Sequence, residues 1–163
     1  MKRLFATLLG AVLVAGLASC GVGGPAQAPA DESPEGQAVQ YRQSLMRAIA
    51  YKVAAVRAMA SGEVPADEAK FRKDTADVAA LAGMLPEGFI PSSSATASNA
   101  NPEVWTNTAD FRQKAADLKT AADALAATAA SQGFEAAKGM VQAAGSTCGA
   151  CHRPYRRRAQ AEQ

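Results

Sequence analysis

The last helical stretch of the chain carries its chemistry on its buried seam, and this limits the folds open to it. Phe134, Ala137, Val141, Ala144, Cys148, Cys151 and Tyr155 recur at alternating spacings of three and four. That is the heptad spacing of a helix packed along a seam against other helices. Two of the three cysteines thus fall on the face turned toward a core, and the single histidine, His152, follows at once.

Cys148-Gly149-Ala150-Cys151-His152 has the Cys-x-x-Cys-His spacing of covalent haem c attachment. Two thiols three positions apart share one helix face, so both can form thioethers to the vinyl groups of one macrocycle. The next residue then offers an imidazole to the iron as proximal ligand. Other chemistries fit less well. A thioredoxin-like redox pair belongs in a βαβ setting, and no strand pattern surrounds the motif. A tetrahedral zinc site needs four ligands, and only Cys148, Cys151 and His152 are at hand. A structural disulfide is the remaining alternative in an exported chain.

Export is written at the N-terminus. Lys2 and Arg3 precede an apolar run, Leu4 to Leu17, that is short for a membrane span. The run ends at Leu17-Ala18-Ser19-Cys20-Gly21, which resembles a bacterial lipobox. Residues 1–19 therefore read as a lipoprotein-type signal peptide and Cys20 as the lipidated residue. Simple cleavage near Ala18 or Ala28 is the alternative, and would leave a soluble periplasmic protein. Residues 20–35, rich in Gly, Pro and Ala, read as a flexible tether, and residues 36–160 as the folded domain. The chain has 17 Lys+Arg and 15 Asp+Glu. Loss of Lys2 and Arg3 leaves the charges balanced, which argues against nucleic acid as a partner.

Four helical segments follow. Val39, Met46, Ile49, Val53, Val56 and Ala60 mark the first, with Arg42 on the same seam and Ser33-Pro34 as its start. Ser61-Gly62 ends it. The second runs from about Ala66 to Met84, with Phe71, Val78, Leu81, Ala82 and Leu85 as its stripe. Residues 86–101 form a long loop that crosses between bundle ends or wraps the cofactor. The third begins with Asn101 as cap and Pro102 at the first helical position, then repeats Val104, Thr108, Phe111, Ala115, Leu118, Ala122 and Leu125. The fourth is the cysteine-bearing stretch, with Pro154 expected to kink or end it. Gly139 and Gly145 read either as points of close approach or as tolerated surface glycines. These segments predict an all-α, antiparallel four-helix bundle enclosing a covalently bound haem c. Small seam residues leave room for the macrocycle, which would supply part of the core and make the cofactor-free form poorly folded.

The chain resembles class II cytochrome c, the cytochrome c′ family, over about residues 36–159. The resemblance lies in Tyr41 to Met46, Leu85-Pro86-Glu87-Gly88-Phe89, Pro102-Glu103-Val104-Trp105 and the C-terminal Cys148 to Arg156. It implies thioether roles for Cys148 and Cys151 and proximal ligation by His152. It places Met46 on the distal side of the haem, and Arg42 and Gln43 near the haem edge and propionates. Arg156 matches a basic residue near the proximal face.

Two functions follow from this resemblance. If Met46 ligates the iron, the protein is a one-electron carrier for periplasmic or membrane redox partners. If Met46 only blocks the distal side, the iron is five-coordinate and binds NO or CO. An enzyme is not expected, since no second histidine exists for acid–base work. The family also implies homodimers through the first two helices.

Overall fold

The computed structural model describes residues 31–94, 96 and 98–157. Cys20, the leader, most of the tether and Arg158 lie outside the described residues.

Helix α1 spans Pro34–Ser61. Its N-cap Ser33 accepts a hydrogen bond from the Gly36 amide at 3.0 Å, and Pro34 takes a first-turn position where no amide is needed. Gly62 at φ 78 ends it in the left-handed region that glycine tolerates. Helix α2 spans Glu68–Gly83, capped by the Asp67 carboxylate on the Lys70 amide at 2.9 Å. The long connection that follows holds two 3-10 turns, Leu85–Gly88 and Pro91–Ser94.

The third segment differs from the sequence expectation. Only one turn forms first, α3 at Glu103–Thr106, and Pro102 rather than Asn101 stands at its cap. The chain breaks at Asn107 (φ −120, ψ 54) and restarts as α4, Thr108–Ala137. Thr108 is consequently exposed, not on the seam. Asn101 instead donates its side-chain amide to Pro154 O at 2.8 Å. Gly133, at φ 82 and ψ −175, interrupts α4 and turns the chain toward α5, Val141–Tyr155. Pro154 sits in the last turn, and the helix ends at extended Arg156. A Cβ at Gly139 or Gly145 would meet nothing within 4 Å, so neither marks a close approach of protein.

The long helices α1, α2, α4 and α5 form an antiparallel four-helix bundle. Lys52 meets Asp74 while Tyr41 meets Glu87, so α2 descends beside α1. Tyr155 at the end of α5 meets Asp110 at the start of α4. The packing is uneven: α2 and α4 meet along their length, whereas α1 and α5 touch at few positions.

Three apolar clusters form the core. One gathers Leu45, Ile49, Val78, Ala82, Leu85 and Leu118. A second, toward the α1–α2 turn, joins Val56, Met59, Phe71, Leu125, Phe134 and Val141. The third comprises Val104, Phe111 and Tyr155, with Phe89, Trp105 and Cys151 packed against it. One carboxylate is buried among these helices. Asp74 is 1% exposed and is held by Lys52 at 2.7 Å and Lys70 at 2.5 Å. Burial pushes its pKa up, but the two lysines outweigh burial and hold it below the ordinary carboxylate value.

Candidate functional site

Helix α5 packs Cys148 and Cys151 against the core, yet the rest of the chain covers them and His152 only partly. The same holds for Ala144, Gly145, Thr147, Gly149 and Ala150. This half-covered strip runs beside the apolar clusters rather than into solvent. Cys148 packs against the cluster of Leu45, Ile49 and Val78, and lines an apolar cavity with Val53, Leu118, Ala122 and Gly145. Cys151 packs one turn away against the aromatic cluster. The spacing of three therefore sets the two thiols against two neighbouring apolar surfaces.

Cys148 and Cys151 form no disulfide with each other. Burial pushes both thiols above their ordinary pKa. Such thiols are protonated at neutral pH, unlike the depressed thiolate of a dithiol redox catalyst. Burial, and then the nearby Arg156 charge, pull His152 below its ordinary value. A neutral imidazole is the form that binds iron. Two protonated thiols and a neutral imidazole on one half-covered apolar face fit a covalently held haem.

Met46 is partly buried on α1 and packs against the same cluster as Cys148. Gln43 is exposed on α1. Arg42, one residue earlier, is 3% exposed. Its guanidinium donates to Gly88 O at 3.0 Å, Ser93 Oγ at 2.8 Å and Ser98 Oγ at 2.8 Å. It also lies over the rings of Phe89 and Trp105, 5.3 and 5.5 Å from their centroids. A Cβ at Gly88 would come within 2.7 Å of Arg42 Cβ, so glycine is what lets the connection lie against α1 here. All three hydrogen-bond acceptors are neutral, and burial lowers the pKa of this guanidinium. Sequence patterning missed these partners. Ser93 and Ser98 lie 51 and 56 residues from Arg42, and a serine run carries no periodicity.

The end of α5 is tied down from two sides. Tyr155 donates to Asp110 Oδ2 at 2.5 Å, and burial with this carboxylate raises its pKa to about 12. The Asn101 amide donates to Tyr155 O at 2.9 Å and the Arg157 amide to Asn99 O at 2.8 Å. Helix α5 thus enters the site with its carboxyl end fixed.

A four-helix bundle with a Cys-x-x-Cys-His run on its last helix, both cysteines packed against the core, defines a c-type haem protein. The chain belongs to the cytochrome c′ family, whose sequence profile matches residues 37–156. It is 36% identical to a cytochrome c-556 of Agrobacterium fabrum, across 72% of this chain and 80% of that one. Among solved structures, cytochrome c prime from Shewanella frigidimarina superposes with a TM-score of 0.73 at 32% identity, covering 78% of this chain and all of the other. A nitric oxide complex of a variant cytochrome c prime from Alcaligenes xylosoxidans gives 0.71 at 25% identity, covering 78% and 100%. The cofactor is accordingly one covalently attached haem c.

Proposed function

We propose that this protein is a one-electron carrier on the periplasmic side of the membrane, with Met46 as sixth ligand. When bound, haem c supplies one iron that exchanges a single electron between ferrous and ferric forms. Cys148 and Cys151 are the thioether anchors, and His152 offers the proximal imidazole. What supports Met46 as ligand is its place: it packs from α1 onto the apolar cluster that Cys148 joins from α5. With Met46 and His152 both as ligands, the haem would have a raised reduction potential and would be closed to exogenous ligands.

Arg42 holds a haem propionate. It is a buried cation bonded only to neutral oxygens, and a guanidinium matches a carboxylate bidentately. Gln43 stands at the exposed rim beside it. Phe89, Trp105 and Tyr155 keep water from the Cys151 side. The role is transport and not catalysis, since the one histidine is committed to the proximal position. Residues 1–19 direct export, and a lipid on Cys20 with the tether of residues 20–35 holds the domain of residues 36–160 at the membrane. No helix among the described residues is long and apolar enough to cross a membrane.

A second reading is a gas-binding protein for NO or CO, with Met46 as a blocker that does not ligate. It draws on the Alcaligenes relative, which was solved as a nitric oxide complex. Optical spectra of the reduced holoprotein with and without CO separate the two. A low-spin spectrum unchanged by CO is expected, with CO binding appearing in Met46→Ala. A high-spin spectrum that shifts with CO in the unaltered protein overturns Met46 ligation and establishes the gas-binding reading.

A further inference from the structure

Three tyrosines occur in the chain, and their settings differ. Tyr51 is 72% exposed on α1. Tyr41 is also exposed; it donates to Glu87 Oε2 at 2.9 Å and belongs to none of the apolar clusters that the cysteines join. Tyr155 is 5% exposed and stands one helical turn beyond Cys151 on the same face of α5. Cys151 packs against the cluster to which the Tyr155 ring belongs. That ring meets Phe111 edge to face at 5.3 Å, Phe111 meets Phe89 at 4.8 Å, and Phe89 meets Trp105 at 6.5 Å. At the far end of the ring the hydroxyl donates to Asp110 Oδ2 at 2.5 Å. The Asp110 side chain is 43% exposed and pairs with Lys114, so a proton received there has a way to solvent.

Taking one electron from a phenol makes two demands. The electron needs a packed route, which the contact between the Tyr155 cluster and Cys151 offers. The proton, which a phenol with a pKa of about 12 keeps until it is oxidised, needs a base already in place. Tyr155 alone among the three tyrosines meets both. We propose that Tyr155, with Asp110 as its proton acceptor, is a second redox site beside the haem and gives up an electron when the iron is already ferric. The inference rests on the electron-carrier reading, which supplies the repairing electron. A small oxidising radical of the nitrogen dioxide class takes one electron from Tyr155 and leaves as its anion, here nitrite. The O–H bond breaks, the proton moves to Asp110 Oδ2, and a neutral phenoxyl radical remains. Once the carrier is reduced again, Tyr155 recovers an electron from ferrous iron and its proton from Asp110, and the iron returns to ferric. The sum is one electron passed from the carrier to the oxidant, with the protein unchanged.

The test uses ferric holoprotein carrying Tyr41→Phe and Tyr51→Phe, in which Tyr155 is the sole tyrosine. Photogenerated tris(bipyridine)ruthenium(III) is the oxidant, and samples are frozen for electron paramagnetic resonance. A tyrosyl signal is expected, and it should vanish in Tyr155→Phe. It should fall about tenfold or more in Asp110→Asn, whose amide still accepts the hydrogen bond but is no base. No tyrosyl signal, a radical on Trp105 alone, or an equal yield in Asp110→Asn overturns the proposal. The unaltered holoprotein, exposed to nitrogen dioxide and read by peptide mass spectrometry, tests the repair. Nitration of Tyr155 is expected in the ferric form, and ferrous iron should suppress it more than nitration of Tyr51. Equal suppression at the two tyrosines overturns the repair by ferrous iron. Neither readout requires Met46 on the iron, so both fail separately from the CO experiment.

Discussion

The two ends of the bundle solve the packing problem differently. Toward the α1–α2 turn the protein closes on itself. Phe71, fully buried, meets Phe134 edge to face at 4.9 Å, and Ala129 and Ala137 let the helices approach around them. Along α5, from Ala144 beside that cluster to His152 toward the start of α1, a strip stays half-covered although apolar clusters flank it. One end has large side chains interlocked in pairs. The other leaves its inner surface half-covered beside Cys148 and Cys151. The contrast teaches that the same helices can interlock fully at one level and stay open one or two turns away, with Val56, Leu125 and Val141 serving both the closed cluster and the cavity beside Cys148.

The largest expected effect comes from removing the thioether anchors. Cys148→Ala with Cys151→Ala should abolish covalent haem entirely, seen as loss of haem staining after denaturation. Amide exchange should then become fast across residues 144–157 while residues around Phe71, Leu125 and Phe134 remain protected. Uniformly fast exchange would break the comparison, since it would mean that both ends depend on the cofactor.

Phe71→Ala tests the closed end. Truncating a buried phenylalanine costs about 3 to 5 kcal/mol, to be read from denaturant unfolding of the holoprotein. The optical spectrum should not change. A spectral change would show that the two ends are coupled through α2 and α4.

The smallest effect belongs to Tyr155→Phe, which removes the hydrogen bond to Asp110 at a cost of about 1 kcal/mol. Its pH dependence gives the clearer signal. The folded pKa of Tyr155, about 12, lies above its ordinary value of 10.0. The protonated phenol is thus favoured in the fold, and its contribution is complete below pH 10. That contribution falls as pH rises from 10 toward 12. The difference in stability between the unaltered protein and Tyr155→Phe should shrink across that window. A constant difference would remove this hydrogen bond from the account of how α5 is held.

Much of this was legible beforehand because it is periodic. The spacings of three and four along Phe134 to Tyr155 gave the last seam, and the Cys-x-x-Cys-His spacing gave the cofactor. Ser33-Pro34 and Gly62 bounded α1 because caps have local chemistry. What escaped was non-local or aperiodic. Leu45 and Met59 are buried beside the α1 seam because the helix packs on two neighbours, widening its apolar face. Nothing in the sequence marks Asp74 for burial, and only the two lysines that neutralise it make its burial tolerable. The break at Asn107 left no sequence mark, since a heptad count runs across a one-residue interruption unchanged. The Arg42 clasp on Ser93 and Ser98 depends on how a loop folds back, which local propensity does not encode.

The position of the haem motif at the far end of the chain has a consequence in time. A chain that emerges N-terminus first presents α1, α2 and α4 before it presents α5. Those three helices can associate through their own apolar surfaces, α2 against α4 above all. The thiols are therefore presented after the other helices, and the hydrogen bonds joining Asn101 to Tyr155 and Asn99 to Arg157 form only when the end of α5 has arrived. Emergence in this order makes α5 the bolt of the bundle, the helix that comes to its neighbours rather than waiting for them.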